Sequence, residues 1–319
     1  MLETISVVKK FDAKISERFV KPLRKKNSII VTGEGSSRIF PGKNFKDKTL
    51  STIAEYNVIV EGATQTSEYN LSRHCIFGVS NSGKTKELVT LFNSLREINF
   101  PFFYGLTATD PSPVTQLATD YAVLSCGKEE AVAATKSVVE QALFFESLYC
   151  NYMNIPMPDL NNLAENIKVG LELSIDTHLT KTISEAPVIY FSGRNNGVAE
   201  ELALKTNEIT RKKSVFLEGT YALHGIEEVM QKGEVLLVID PFEEEEQKYY
   251  NIIQKGAGVT IIAISPRKTI FPTVLIPSNS YYQNFIELAA GWNLLVETGI
   301  YLGINLDKPV RARKIGNEA

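Results

Sequence analysis

Apolar and polar residues alternate along the chain in two tempos. Short, nearly unbroken apolar runs occur at Ser28–Thr32 (SIIVT), Tyr56–Val60 (YNVIV), His74–Val79 (HCIFGV), Phe102–Leu106 (FFYGL) and Tyr121–Leu124 (YAVL). Such runs suit parallel strands buried on both faces. Longer stretches with helical spacing lie between them. Thr85–Glu97 places Leu88, Leu91, Phe92 and Leu95 on one helix face, and Glu130–Tyr149 predicts a longer apolar helix. The Pro-rich stretch Asn154-Ile155-Pro156-Met157-Pro158-Asp159 breaks the pattern and predicts a boundary between domains 1–155 and 156–319. The alternation then restarts. Pro187–Phe191, Ser214–Leu217, Val235–Ile239 and Val259–Ile264 read as strands, Thr273–Ile276 as a weaker fifth, and Asn284–Ile300 as a last long helix before a polar tail.

The two halves rhyme. Each begins with a helical stretch, continues into an apolar strand and reaches a Gly-bearing turn. The turns are Gly33-Glu34-Gly35-Ser36-Ser37 and Ser192-Gly193-Arg194-Asn195-Asn196. This predicts an α/β protein of two similar domains, each a doubly wound, flavodoxin-like parallel sheet flanked by helices. Ligands in such folds sit at the carboxyl ends of strands.

Composition narrows the function classes. A chain of 319 residues can bury a sizeable core without metals or disulfides. The formal charge of −3 offers no basic face to nucleic acid. Cys75, Cys126 and Cys150 are odd in number and far apart, as expected of buried, reduced thiols in a cytoplasmic protein. Cys and His are nowhere clustered, so no metal site is expected. The N-terminal stretch is charged throughout, unlike a signal peptide. No apolar run is long enough for a membrane span. The acidic run Glu243–Glu246 suits the first turn of a helix, where it complements the dipole.

Candidate chemistry begins at strand ends in the first half. Gly35-Ser36-Ser37 follows one strand. Ser80-Asn81-Ser82-Gly83-Lys84-Thr85 follows another and runs straight into a helix. Amides at a helix start, reinforced by hydroxyls, make an anion site. Gly78–Thr85 also matches the G-x4-G-K-[ST] phosphate loop of nucleotide-binding proteins. Two features argue against a nucleotide. Two strands precede this loop, whereas a nucleotide loop usually follows the first. The best strand ending in a magnesium-holding Asp, Val235–Asp240, lies in the other half.

These two loops resemble those of the sugar isomerase (SIS) domain family, which read roughly G-[ST]-S and S-x-S-G-E-T. The resemblance implies that Ser80, Asn81, Ser82 and Thr85 contact the phosphate of a phosphosugar, and that Ser36 and Ser37 contact sugar or phosphate. Lys84 stands where the family often has Glu. A third family element, V-A-S-T-K, appears as Val132-Ala133-Ala134-Thr135-Lys136. Val132 and Ala134 are expected to contact substrate, Ala134 through its backbone because it replaces Ser.

The second half extends the likeness. Lys205 and Glu208 are three apart, so they share one face of the helix over 201–209. By themselves they fit a surface ion pair. Sixteen residues beyond Glu208 comes His224, one of three histidines. The isomerase domains of glucosamine-6-phosphate synthases and related sugar-phosphate deaminases carry A-L-K-x-x-E-I followed by H-G at this spacing, then D-x-P with a Lys five residues on. Here these are Ala203–Ile209, His224-Gly225, Asp307-Lys308-Pro309 and Lys314. The resemblance implies that His224 acts as acid on the ring oxygen and that Glu208 moves a proton between C1 and C2. Lys314 would form a Schiff base with the ketose, and Lys205 would support Glu208 or the open-chain oxygen. It also implies no cofactor and a homodimer with composite sites, since the His-bearing segment of relatives reaches a neighbouring subunit.

The expected activity is aldose–ketose isomerisation of an amino-sugar phosphate such as glucosamine-6-phosphate, with ammonia released. A fructosamine-phosphate deglycase and a non-catalytic phosphosugar-binding protein stand as alternatives. Leu2 follows Met1 where the synthases have a nucleophilic Cys, so no glutaminase module is expected, and no DNA-binding one either. Ile226 replaces a common Pro and Tyr221 a common Glu. Arg38 and Lys43 follow the first loop, and Arg211-Lys212-Lys213 follow the catalytic helix. These departures leave the sugar open. Arg38 adds a second anionic contact or faces solvent, and Lys84 either adds charge to the phosphate site or faces solvent.

Overall fold

The apolar runs are strands, and the pairings between them are parallel. The computed structural model describes residues 1–129 and 131–311. Two units, Met1–Ala164 and Glu165–Val310, each hold one sheet. The first contains β1 (Ser28–Gly33), β2 (Asn57–Glu61), β3 (Cys75–Val79), β4 (Phe103–Thr107) and β5 (Asp120–Val123), in the order β2-β1-β3-β4-β5. The second contains β6 (Val188–Gly193), β7 (Lys213–Phe216), β8 (Val235–Ile239), β9 (Thr260–Ser265) and β10 (Thr273–Leu275), in the order β10-β9-β8-β6-β7. Read from the other edge, the second order repeats the first. In both, the chain leaves the first strand toward one edge and returns to pair on its other side. That reversal opens a crevice at the carboxyl ends of the two central strands.

One glycine recurs at this reversal. Gly33 pairs with Val79, and Gly193 with Ile239. A Cβ would stand 2.5 Å from the Val79 carbonyl oxygen at Gly33 and 1.9 Å from that of Ile239 at Gly193. The close approach of the partner strand therefore demands glycine at the same place in both units.

β3 shows how the first unit is built. Alternation sends Phe77 to one face, where its ring meets Phe19, Tyr104, Phe144 and Phe145 at centroid distances of 5.5, 5.2, 5.9 and 5.9 Å. Gly78 faces the other side, against Leu88 and Phe92 of the helix Lys86–Glu97. The four apolar residues predicted for that helix face are all buried. With no side chain at Gly78, the helix lies close over the strand that feeds it, which fixes where its N-terminus starts.

The long helix differs from the sequence-based span. It runs Lys136–Met153, and every residue from Ser137 to Cys150 is buried. Its start is set by Glu129, whose Oε1 accepts from the amides of Thr135 and Ser137 and from the Ser137 hydroxyl, each at 2.9 Å. Its end is set by Asn154 in the left-handed region, with Pro156 beyond it.

The acidic run has a structural role at Glu246, which is buried, pairs with Arg267 at 2.6 Å and accepts from the Ile270 amide at 3.0 Å. The three cysteines are buried free thiols, and burial pushes Cys75 up to about 12. Among the described residues no helix is long and apolar enough to cross a membrane.

A side chain at Gly78 would meet Phe92 Cζ at 2.4 Å and Leu88 Cδ1 at 2.6 Å. Overpacking of this kind costs about 1–3 kcal/mol, so Gly78→Val should lower the urea unfolding midpoint accordingly. An unchanged midpoint would show that the helix is free to move away.

Candidate active site

The loop after β3 is held from inside. Ser80 is buried, and its Oγ accepts from the Gly83 amide at 3.1 Å and shares a 2.8 Å hydrogen bond with Thr85 Oγ1. Ser82 Oγ accepts from the Lys84 amide at 3.3 Å. Gly83 has φ +66°, and Ser112 packs where its Cβ would stand. These bonds curl the six residues into a cup at the start of the helix Lys86–Glu97. Among the described residues, the amides of Asn81 and Ser82 donate to no protein acceptor. The Ser82 hydroxyl keeps its own proton, and the Ser80–Thr85 pair keeps one between them. Free amides and hydroxyls at a helix N-terminus form an anion cradle.

Asn81 lies in the cup but works inward. Its Nδ2 donates to the Gly127 carbonyl at 3.2 Å, and its Oδ1 faces Cys126 Sγ at 3.6 Å. Its carbonyl oxygen accepts from the Ala108 amide and from the Thr107 and Thr109 hydroxyls. The backbone amide is what remains for a ligand. Asn81 thus ties the loop after β3 to the segment after β5, which leads to Val132 and Ala134. That segment is fixed at its start by Glu140, which accepts from Ser125 Oγ at 2.6 Å and from the Ser125 and Cys126 amides at 2.9 and 2.6 Å. Glu129 fixes its end. Val132 and Ala134 lie between the two clamps, partly buried. Ser36 and Ser37 are also partly buried, in the turn after β1. Because Gly33 pairs with Val79, the turn after β1 and the cup after β3 flank one crevice. Lys84 is exposed at its rim.

The equivalent crevice in the second unit is filled by its own side chains. Arg194 pairs with Asp240 at 3.2 Å and lies over the Phe242 ring at 3.9 Å. Candidate catalytic groups of this unit lie elsewhere, on the helix Val198–Ile209. Lys205 is fully buried there, with Nζ 3.3 Å from Glu201 Oε1 and 2.7 Å from Glu208 Oε2. The pair expected from spacing is therefore a buried cluster of three. Burial alone pulls the Lys205 pKa down, but the carboxylates of Glu201 and Glu208 more than offset this and hold it above its ordinary value. Stability from a raised lysine is fully present below the ordinary pKa and is lost only as pH rises through the raised one. The ammonium stays charged at neutral pH and locks Glu208, which alone of the three reaches solvent, at 21% exposure.

His224 is exposed and stands apart from Glu208. Right-handed crossovers leaving the β6/β8 reversal in opposite directions place their helices on opposite sheet faces. The helix bearing Glu208 packs on Gln283–Tyr301, where Leu202 abuts Gly291. The segment bearing His224 packs through Ala222, Leu223 and Ile226 on Tyr190, Leu236 and Val238, in a cluster with Tyr249 and Ile253. One chain thus carries Glu208 and His224 on opposite faces of one sheet. Lys314 lies outside the described residues. The stretch before it, Asn305–Lys308, is tied to the end of the Glu208 helix by Arg211, whose Nη2 donates to the Asn305 and Lys308 carbonyls at 3.1 and 2.9 Å. Among the described residues no group of three or more His, Cys, Asp or Glu is arranged to hold a metal.

The sequence does not by itself single out Glu129, Glu140 or Glu201, and it marks Arg211 only as part of a basic run without a role. Glu201 could have been found, since it stands four residues before Lys205 on the same helix face. Nothing in the local sequence marks Glu129 or Glu140.

Residues 22–150 match the family model described as the SIS domain. Glutamine–fructose-6-phosphate aminotransferase [isomerizing] of Methanocaldococcus jannaschii is 24% identical over 275 residues, a match spanning 81% of this chain and 23% of that protein's length. Two solved structures share the fold of this chain over nearly its whole length. The C-terminal domain of glucosamine-fructose-6-phosphate aminotransferase from Francisella tularensis has a TM-score of 0.76 at 18% identity, covering 97% of this chain and 94% of that one. Glucosamine-6-phosphate deaminase from Thermotoga maritima has a TM-score of 0.71 at 19% identity, covering 98% of each.

Removing one member of a buried ion cluster strands the others. Lys205→Met should destabilise the second unit by about 3–5 kcal/mol, and the double change Glu201→Leu/Lys205→Met should recover most of that loss. Urea unfolding of the three proteins checks both. Equal stability of Lys205→Met and wild type would contradict the buried cluster.

Proposed function

We propose that the protein is an aldose–ketose isomerase of amino-sugar phosphates that releases ammonia, with glucosamine-6-phosphate as the reference substrate. The observation that carries this reading is Glu208 locked by the buried Lys205. A protein that only bound a phosphosugar would gain nothing from a buried ammonium holding one partly exposed carboxylate in place. The anion cradle at Ser80–Thr85 supports a phosphorylated substrate.

In this reading the amides of Asn81 and Ser82 and the hydroxyls of Ser80, Ser82 and Thr85 take the phosphate. Ser36, Ser37, Val132 and Ala134 line the sugar. His224 protonates the ring oxygen and opens the ring to an aldehyde at C1 with the amine on C2. Glu208 takes the C2 proton and returns it to C1, with Lys205 steadying it. The C1 aldehyde becomes a hydroxymethyl group and C2 becomes an imine. Water adds to that imine and expels ammonia; on the covalent route Lys314 instead displaces ammonia as it forms its own imine at C2, and water then releases the lysine amine, each route leaving the 2-ketose phosphate. The steps need no metal or organic cofactor. The opposite-face positions of Glu208 and His224 support a homodimer in which each site takes His224 from the partner copy.

Ammonia should be released from glucosamine-6-phosphate by the wild type. Glu208→Gln should lower the rate by about 100-fold or more. Lys314→Ala should slow ammonia release and leave phosphosugar binding intact. Ammonia release that survives Glu208→Gln would remove that residue from the chemistry, and no turnover with intact binding would leave a binding protein. For the composite site, mixing and refolding inactive Glu208→Gln with inactive His224→Ala should restore about a quarter of wild-type activity, because half the dimers are hybrids with one intact site. No recovery would place both residues in one chain's site.

A further inference from the structure

One cation at the first unit's crevice has no protein partner among the described residues. Arg38 follows Ser37 directly and starts the helix Ile39–Leu50. Its backbone is fixed there: its amide donates to the Gly35 carbonyl at 3.1 Å, and its carbonyl accepts from Gly42 at 2.9 Å. Its side chain is partly buried, and the Nε is buried without any acceptor. Among the described residues the guanidinium makes neither a hydrogen bond nor an ion pair. Other arginines of the chain are engaged: Arg194 with Asp240, Arg211 with two carbonyls, Arg267 with Glu246. A buried guanidinium nitrogen with no acceptor is unfavourable, and an anion relieves it.

The position adds direction to this. Gly33 ends β1 and pairs with Val79, the residue before Ser80. Arg38 and the cup of Ser80–Thr85 therefore flank the same crevice. The cup offers only neutral donors, and its own lysine, Lys84, is exposed at the rim. We propose that Arg38 is an anion-binding residue of this site, which closes its guanidinium on an anionic group of the bound sugar phosphate. The proposal rests on the phosphosugar reading and names the charge that reading lacks. The anion is either the ester phosphate itself or a second one on the sugar, a carboxylate or another phosphate. A guanidinium fork suits both, because it presents paired donors to a planar or tetrahedral oxyanion.

The test is calorimetric titration of the full chain with inorganic phosphate, fructose 6-phosphate, fructose 1,6-bisphosphate and 6-phosphogluconate. Wild type is compared with Arg38→Gln and with Arg38→Lys, which keeps the charge and loses the fork. Arg38→Gln should weaken binding about tenfold or more, with Arg38→Lys intermediate. A loss shared by all four probes assigns Arg38 to the ester phosphate. A loss confined to the bisphosphate and 6-phosphogluconate assigns it to a second anionic group. Wild-type affinity for every probe in both variants would overturn the proposal and leave the phosphosugar reading standing. If wild type binds none of the sugar phosphates, that reading falls and this one falls with it.

Discussion

Everything in the first unit depends on one constraint, the reversal of strand order between β1 and β3. Two parallel strands paired at Gly33 and Val79 release their chains from adjacent positions, so two turns must share one crevice. The sheet cannot supply partners for amides that have left it. The turn after β3 satisfies some of them internally, through Ser80 and Ser82, and leaves others pointing outward at a helix start. A helix N-terminus presents about half a positive charge. An anion is the natural complement of such an end, and hydroxyls around it give a donor set that suits phosphate.

The second unit repeats the fold and abandons this use of it. Its crevice is occupied by Arg194, Asp240 and Phe242, which satisfy one another. In the proposed reading its chemistry lies on the body of a helix, where Lys205 is held between two carboxylates. The separation has a physical logic. An anion cradle needs unpaired amides, which strand ends supply. A positioned base needs a side chain that cannot turn away, and a buried ion cluster supplies that. In the proposed reading, the repeat of one α/β unit lets each demand be met on its own copy.

Much of the fold was legible because burial on both faces writes parallel strands as unbroken apolar runs. All ten runs became strands, with ends displaced by a residue or so. The long helix was read too early because its N-terminal signal is Glu129, a carboxylate acting from outside the helix. The cup at Ser80–Thr85 was legible because small hydroxyl residues and glycine before a helix have few other uses. The inward turn of Asn81 was not, since its partners at Gly127 and Cys126 are more than forty residues away in sequence. Lys205 and Glu208 were visible as neighbours on a helix, but spacing cannot tell a surface pair from a buried one. The placement of Glu208 and His224 on opposite sheet faces follows from crossover handedness once the strand order is known, and strand order is not written in either motif.

The most direct test of the account is a crystal structure of the protein soaked with fructose 6-phosphate. The ester phosphate is expected within hydrogen-bonding distance of the amides of Asn81 and Ser82 and the Thr85 hydroxyl, with the sugar toward Ser36, Ser37 and the Val132–Ala134 segment. A phosphate bound at another place, with the Ser80–Thr85 cup unoccupied, would contradict it.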